Sequence, residues 1–157
     1  MDYDLAIENA PETIPGGTGI LLIHPSTGET DRIDTDFLKT DTDRILVIST
    51  RTTAREVQQK LEYYDVDETK ADILDTLSVE RVYSRRSSER VSYLPAPVYR
   101  EGVVETTRQF LEDNGGTRRI SLDSVTEMAY YADETRALEI TEKLLEVLGE
   151  HAAVGLF

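Results

Sequence analysis

An apolar run, Ile20-Leu21-Leu22-Ile23, leads into His24-Pro25-Ser26-Thr27-Gly28-Glu29-Thr30, and this spacing matches part of a phosphate-binding turn. In a working loop of the form GxxxxGK[ST], the glycines let backbone amides approach the phosphates, a lysine reaches the outer phosphates, and the hydroxyl holds magnesium. Gly28 and Thr30 keep that register, but Ile23 stands at the first glycine and Glu29 at the lysine. A carboxylate there replaces attraction with repulsion, about 1 to 4 kcal/mol per like-charge contact at about 4 Å. The remaining side chains with chemical potential are few. His24 and His151 are the only histidines, without HExxH spacing, and there is no GxSxG elbow. Zero cysteines exclude disulfides, thiolate chemistry and cysteine-ligated zinc.

The elements that must position these residues alternate along the chain. Gly19 to Ile23 is apolar on both faces and too short for a helix, so it reads as a buried parallel strand. Ile33, Phe37 and Leu38 share one face of a short helix that Asp41 to Asp43 break. Arg44 to Thr50 is a second buried strand, and Ala54, Val57, Leu61 and Tyr64 follow at helical spacing behind the caps Thr52 and Thr53. Ala71 to Val79 reads as a further strand, and Glu80 to Pro97 as an irregular excursion at the sheet edge. Val98 to Asn114 carries an amphipathic stripe ending at Gly115 and Gly116. A strand from Arg119 to Leu122 then puts Asp123 at its tip. The longest helical pattern, Asp133 to Gly149, turns Leu138, Leu144, Leu145 and Leu148 inward, and AAVGLF is a last apolar strand.

Strands alternating with helices predict an α/β fold with a parallel sheet covered on both faces. In such sheets ligands sit outside the carboxyl ends of the strands. The expected site is therefore built from three loops, His24 to Thr30, Thr50 to Thr53 and Asp123 to Thr126. Residues 1–17, closed by Pro15, Gly16 and Gly17, read as an N-terminal arm, and 18–157 as one domain.

Composition narrows the classes further. The 157 residues carry 31 acidic and 17 basic side chains, a formal charge of −14, and only four of the cations are lysines. Such a surface stays hydrated when salt has screened ordinary repulsion, so it fits a salt-adapted, haloarchaeal-like protein and argues against general nucleic-acid binding. No run reaches the roughly 20 apolar residues a membrane helix needs, and the acidic start is unlike a secretory signal, which predicts a cytoplasmic protein. Charge is uneven: Arg81 to Arg119 is net +3, leaving −17 elsewhere. Arg81, Arg85, Arg86 and Arg90 could together hold an anion through bidentate contacts, or simply pair with neighbouring carboxylates.

Taken in order, GTGILLIHPSTGET, RILVISTRTTAREVQQKL, RRISLDSVTEMAYY and AAVGLF resemble the RecA-like ATPases of the KaiC and RadA kind, over about Gly19 to Phe157. The resemblance implies a three-layer, P-loop NTPase-like core. It makes Ser26, Thr27, Gly28, Thr30 and Asp123 the remains of a nucleotide site, with Asp123, beside Ser124, as the acid that orients magnesium. Asp123 and Thr30 have an ordinary reading too, as caps of the helices that follow them. Besides Glu29, the chain has Arg51 and Thr52 where the family places catalytic carboxylates, so no base stands there to position a water. It is also shortened at the C-terminus, ending on what resembles the strand between the first strand and the one bearing Asp123. Either the sheet is minimal or another segment or subunit completes it, and a bare edge beside the first strand would be open to pairing.

The leading expectation is a non-catalytic KaiC/RecA-like domain without a cofactor or metal, acting through a protein partner or self-association as a regulatory module, with neither nucleic acid nor membrane as partner. An alternative is an ATPase or nucleotide switch using ATP and magnesium, in which Arg32 or Arg51 replaces the lysine. A third is a module that binds an anionic ligand or nucleic acid through Arg81 to Arg90.

Overall fold

Alternation inside Arg44 to Ser49 divides the molecule into two cores. In the computed structural model, which describes residues 1–23, 30–40, 42–76, 91–93 and 102–157, Leu46 and Ile48 enter one apolar cluster and Ile45 and Val47 the other. The described residues begin with a hairpin, β1 (Asp2–Asp4) antiparallel to β2 (Thr13–Pro15). Six parallel strands follow: β3 (Gly19–Ile20), β4 (Arg44–Ser49), β5 (Ala71–Asp75), β6 (Val91–Tyr93), β7 (Arg118–Asp123) and β8 (Val154–Leu156). Their order is β3-β8-β7-β4-β5-β6, so β8 lies between β3 and the strand that carries Asp123, as the resemblance implied.

Helices cover both faces. Phe37 and Leu38 of α1 (Thr30–Leu38) and Ala54, Val57 and Leu61 of α2 (Ala54–Tyr63) pack with Tyr3 and Ile14 of the hairpin on one side. On the other lie Phe110 and Leu111 of α3 (Val104–Asp113), Met128 of α4 (Val125–Ala132) and Ile140, Leu144 and Leu148 of α5 (Glu134–His151). The three-layer RecA-like architecture expected from the sequence is the one observed. Among the described residues no helix is long and apolar enough to cross a membrane.

Several local expectations need correction. The run Gly19 to Ile23 is not a strand buried on both faces: among the described residues β3 closes one edge of the sheet, with β8 as its one neighbour, and Leu21 and Ile23 are largely exposed. In α5, Leu144 and Leu148 face inward with Ala137, Ile140 and Val147, whereas Leu138 and Leu145 lie outside that stripe. Spacing alone could not choose between two adjacent leucine stripes. The span from Glu80 to Pro97 contains β6, whose three residues pair with β5 in parallel. Of the two glycines after α3, only Gly116 takes a positive φ, +78°.

Two arginines of the basic stretch are structural. Arg119 is buried against Asp43 at 2.6 Å, donates to Phe37 O and Asp4 O, and lies over the Tyr3 and Phe37 rings. Arg118 donates to Leu111 O, Asn114 O and His151 O, so one guanidinium closes the carboxyl ends of α3 and α5, where the helix dipoles favour a cation. Its Nε has no hydrogen-bond partner among the described residues. Arg81, Arg85, Arg86 and Arg90 lie outside the described residues.

Candidate functional site

The loop after β4 is built from its own hydroxyls. Ser49 Oγ donates to Thr52 O at 2.6 Å and accepts from Thr52 N–H at 3.1 Å, which folds the chain back at the strand tip. Thr53 then caps α2 in a reciprocal box with Glu56, and the buried Asp75 at the end of β5 accepts the Ala54 N–H at 2.7 Å. Arg51 is thereby presented at the tip of the turn.

Thr50 joins this loop to the next one. Its buried hydroxyl donates to Asp123 O at 2.9 Å and accepts the Ser124 N–H at 2.8 Å, across a peptide that is cis. Ser124 in turn caps α4 by accepting the Glu127 N–H at 3.2 Å. The cap is thus Ser124, and the Asp123 carboxylate is left for another role. It accepts from Arg51 Nη2 at 3.1 Å, with the two side chains 47% and 22% exposed.

A cleft of about 360 Å³ opens above these groups at the carboxyl ends of the strands. Its apolar lining includes Leu21, Leu22, Ile23, Leu122, Val125 and Phe157, and its ionisable lining is Asp34, Asp123, Glu127 and Arg51. Asp34 is paired with Lys60 at 3.4 Å and Asp123 with Arg51, so of the described carboxylates Glu127 gives the wall its net negative charge. A wider groove, about 630 Å³, runs between α2 and β5 near Glu68 and Thr69, at the amino end of β5. That is the end of an open α/β sheet where ligands do not ordinarily bind.

Of the residues singled out in the sequence, Ser26, Thr27, Gly28 and Glu29 lie outside the described residues. Thr30 is the first residue of α1, and its side chain, like that of Arg32, is also outside them. Asp123 and Arg51 are brought together, and Thr52 contributes a carbonyl to the turn. Sequence reasoning placed Thr50 in an expected loop without giving it a role, and missed Asp34 and Glu127. Thr50 carried a usable signal, a hydroxyl at the end of an apolar strand, but Asp34 and Glu127 reach the cleft only through the way α1 and α4 pack. Among the described residues no group of three or more His, Asp or Glu is placed to hold a metal ion.

Comparison with known proteins gives a family and a fold. A family model described as "Family of unknown function (DUF7090)" matches residues 1–157. The chain belongs to this family. No curated protein matches it. Among solved structures it is similar to the KaiC-like protein PH0186 from the hyperthermophilic archaeon Pyrococcus horikoshii OT3, with a TM-score of 0.67 at 16% identity, covering 99% of this chain and 68% of that one. At that identity the likeness shows the fold, a KaiC/RecA-like core, and nothing of the activity.

Proposed function

We propose that this member of the family is a non-catalytic KaiC/RecA-like module that works through protein contacts, as a regulator or assembly partner in a salt-adapted cytoplasm. The observation that carries the reading is how the charges of the cleft are used: Arg51 is bonded to Asp123 at 3.1 Å, Asp34 is paired with Lys60 at 3.4 Å, and Glu127 adds a further carboxylate. A magnesium–nucleotide needs cations around its phosphates and a free acid behind its metal. The described wall does not fit that requirement, because its cation and its strand-tip acid are spent on each other. Glu29 at the lysine position and Arg51 and Thr52 at the positions of the catalytic carboxylates support the same conclusion.

One observation favours a second reading, a nucleotide switch in which Arg51 serves as the phosphate cation. Arg51 lines an open cleft, and a half-exposed ion pair contributes only about 0 to 1 kcal/mol, so an incoming phosphate could take the guanidinium over. Calorimetric titration with ATP and magnesium, at a salt concentration where the protein is folded, separates the two. The non-catalytic reading expects no saturable heat and no phosphate release. Micromolar binding with turnover that Arg51→Ala abolishes would sink it in favour of the switch.

A further inference from the structure

Hydrogen bonding between β3 and its neighbour uses alternate residues. The Gly155 N–H donates to Thr18 O, the Phe157 N–H to Ile20 O, and the Leu22 N–H to Phe157 O. Gly19, Leu21 and Ile23 therefore turn their peptide groups to the other side, where the sheet of the described residues ends. Their side of the strand is also bare: Leu21 is 66% and Ile23 86% exposed.

Helix α5 extends this strip. Leu145, 39% exposed, lies over Gly19 so closely that an added Cβ there would come 2.2 Å from its Cδ2. Because α5 turns at Ala152 straight into β8, it runs against the strands. Leu138, 60% exposed, therefore lies about 10 Å from Leu145 toward the carboxyl ends, the same direction in which Leu21 and Ile23 extend from Gly19. An open backbone edge and four exposed aliphatic side chains form one band. Unpaired edges of this kind are templates for another strand.

Charge limits what can fill it. At 100° per residue, Glu134 and Glu142 fall within about 40° of Leu138 around the helix, while the cations Arg136 and Lys143 fall about 140° to 160° away. The band runs at its carboxyl end into the cleft, which shares Leu21 and Ile23 and adds Glu127 beside two carboxylates already paired, Asp123 with Arg51 and Asp34 with Lys60. A second copy of this chain would bring a further charge of −14 to that surface.

We propose that the β3 edge, with Leu138 and Leu145, receives an extended segment of a different protein as a seventh strand, its apolar residues alternating with lysine or arginine. Main-chain hydrogen bonds supply the attachment, alternate apolar side chains the fit, and basic residues the match to the flanking carboxylates. The inference rests on the protein-contact reading above and names the surface and partner chemistry it requires.

The test uses the full chain and two acetylated octapeptides, one alternating valine with lysine and one alternating valine with glutamate. Binding is measured by calorimetry, and amide exchange by NMR, at the lowest salt in which circular dichroism reports a folded protein. The lysine peptide is expected to bind and to slow exchange of the Leu21 and Ile23 amides. The double substitution Leu21→Lys with Ile23→Lys, at exposed side chains, should weaken it about tenfold or more without lowering the thermal midpoint. Unslowed amides at saturating peptide, equal binding of the glutamate peptide, or undiminished binding to the double variant would each overturn the proposal. So would a dimer in sedimentation that the double variant dissolves, since the occupant is then a second copy. Turnover of ATP, by contrast, would overturn the functional reading and leave slowed Leu21 and Ile23 amides standing.

Discussion

Asp43 and Arg119 meet at 2.6 Å with both side chains almost sealed from water, and most of what holds them was not visible in the chain. Asp43 read as a helix breaker and Arg119 as part of a basic stretch, 76 residues away. Burial by itself would raise the Asp43 carboxyl, but hydrogen bonds from Thr117, Arg119 and Thr42, with the charge of Arg119, outweigh it and hold the group below the ordinary carboxylate value. Asp43→Asn leaves a buried guanidinium with only carbonyl partners and should cost about 3 to 5 kcal/mol. A group with a lowered folded pKa contributes stability that is complete above its unfolded value, about 3.9, and is lost as pH falls through the folded one. The gap in urea midpoint between the parent and Asp43→Asn should therefore be constant near neutrality and narrow below about pH 4. A gap that persists undiminished into acid would mean that the pair does not act through its charge.

Strand β8 shows what an element demands of its neighbours. Gly155 lies between two packed groups: an added Cβ would stand 2.7 Å from Leu148 Cδ1 and 3.1 Å from the Phe157 ring, both in the core. Gly19, on the edge strand, would meet Leu145 even more closely, yet Leu145 is half in water and can swing aside. Gly155→Ala should cost about 1 to 3 kcal/mol through overpacking, and Gly19→Ala distinctly less. Chemical denaturation of the two variants side by side checks this; equal losses would mean that the edge is as rigid as the centre. The periodic pattern identified α2 and its threonine cap well, since Ala54, Val57 and Leu61 form one buried stripe. It misjudged α5 because leucines occupy two neighbouring stripes, and only the sheet beneath decides which of them is covered.

For the whole molecule, a charge of −14 on 157 residues opposes compaction. Screening shortens the reach of each charge from about 10 Å at 0.1 M salt to about 3 Å at 1 M. The thermal midpoint should rise as potassium chloride is increased over that range and then level off. Calorimetric scans at several concentrations test it, and a midpoint that is flat or falls would remove the salt-adapted reading of the composition. The surface ion pairs do not offset this trend, since pairs such as Lys143 with Glu146 are exposed and contribute little.

By itself the sequence determined the alternation of strands and helices from Gly19 onward, apart from β6, the parallel sheet covered on both faces, and the loops at which a site would be assembled, but not the N-terminal hairpin. Those properties follow from local periodicity and from runs of β-branched residues, which each segment carries independently. Tertiary structure alone decided that Arg51 bonds to Asp123, that Thr50 clamps the tip of β7, and that Asp34, paired with Lys60, and Glu127 line the cleft. It also decided that Leu21 and Ile23 lie on an open edge and not in a buried strand. Pairing between residues some 70 positions apart, and the covering of one strand by another, depend on the register and order of the whole sheet, which no single segment encodes.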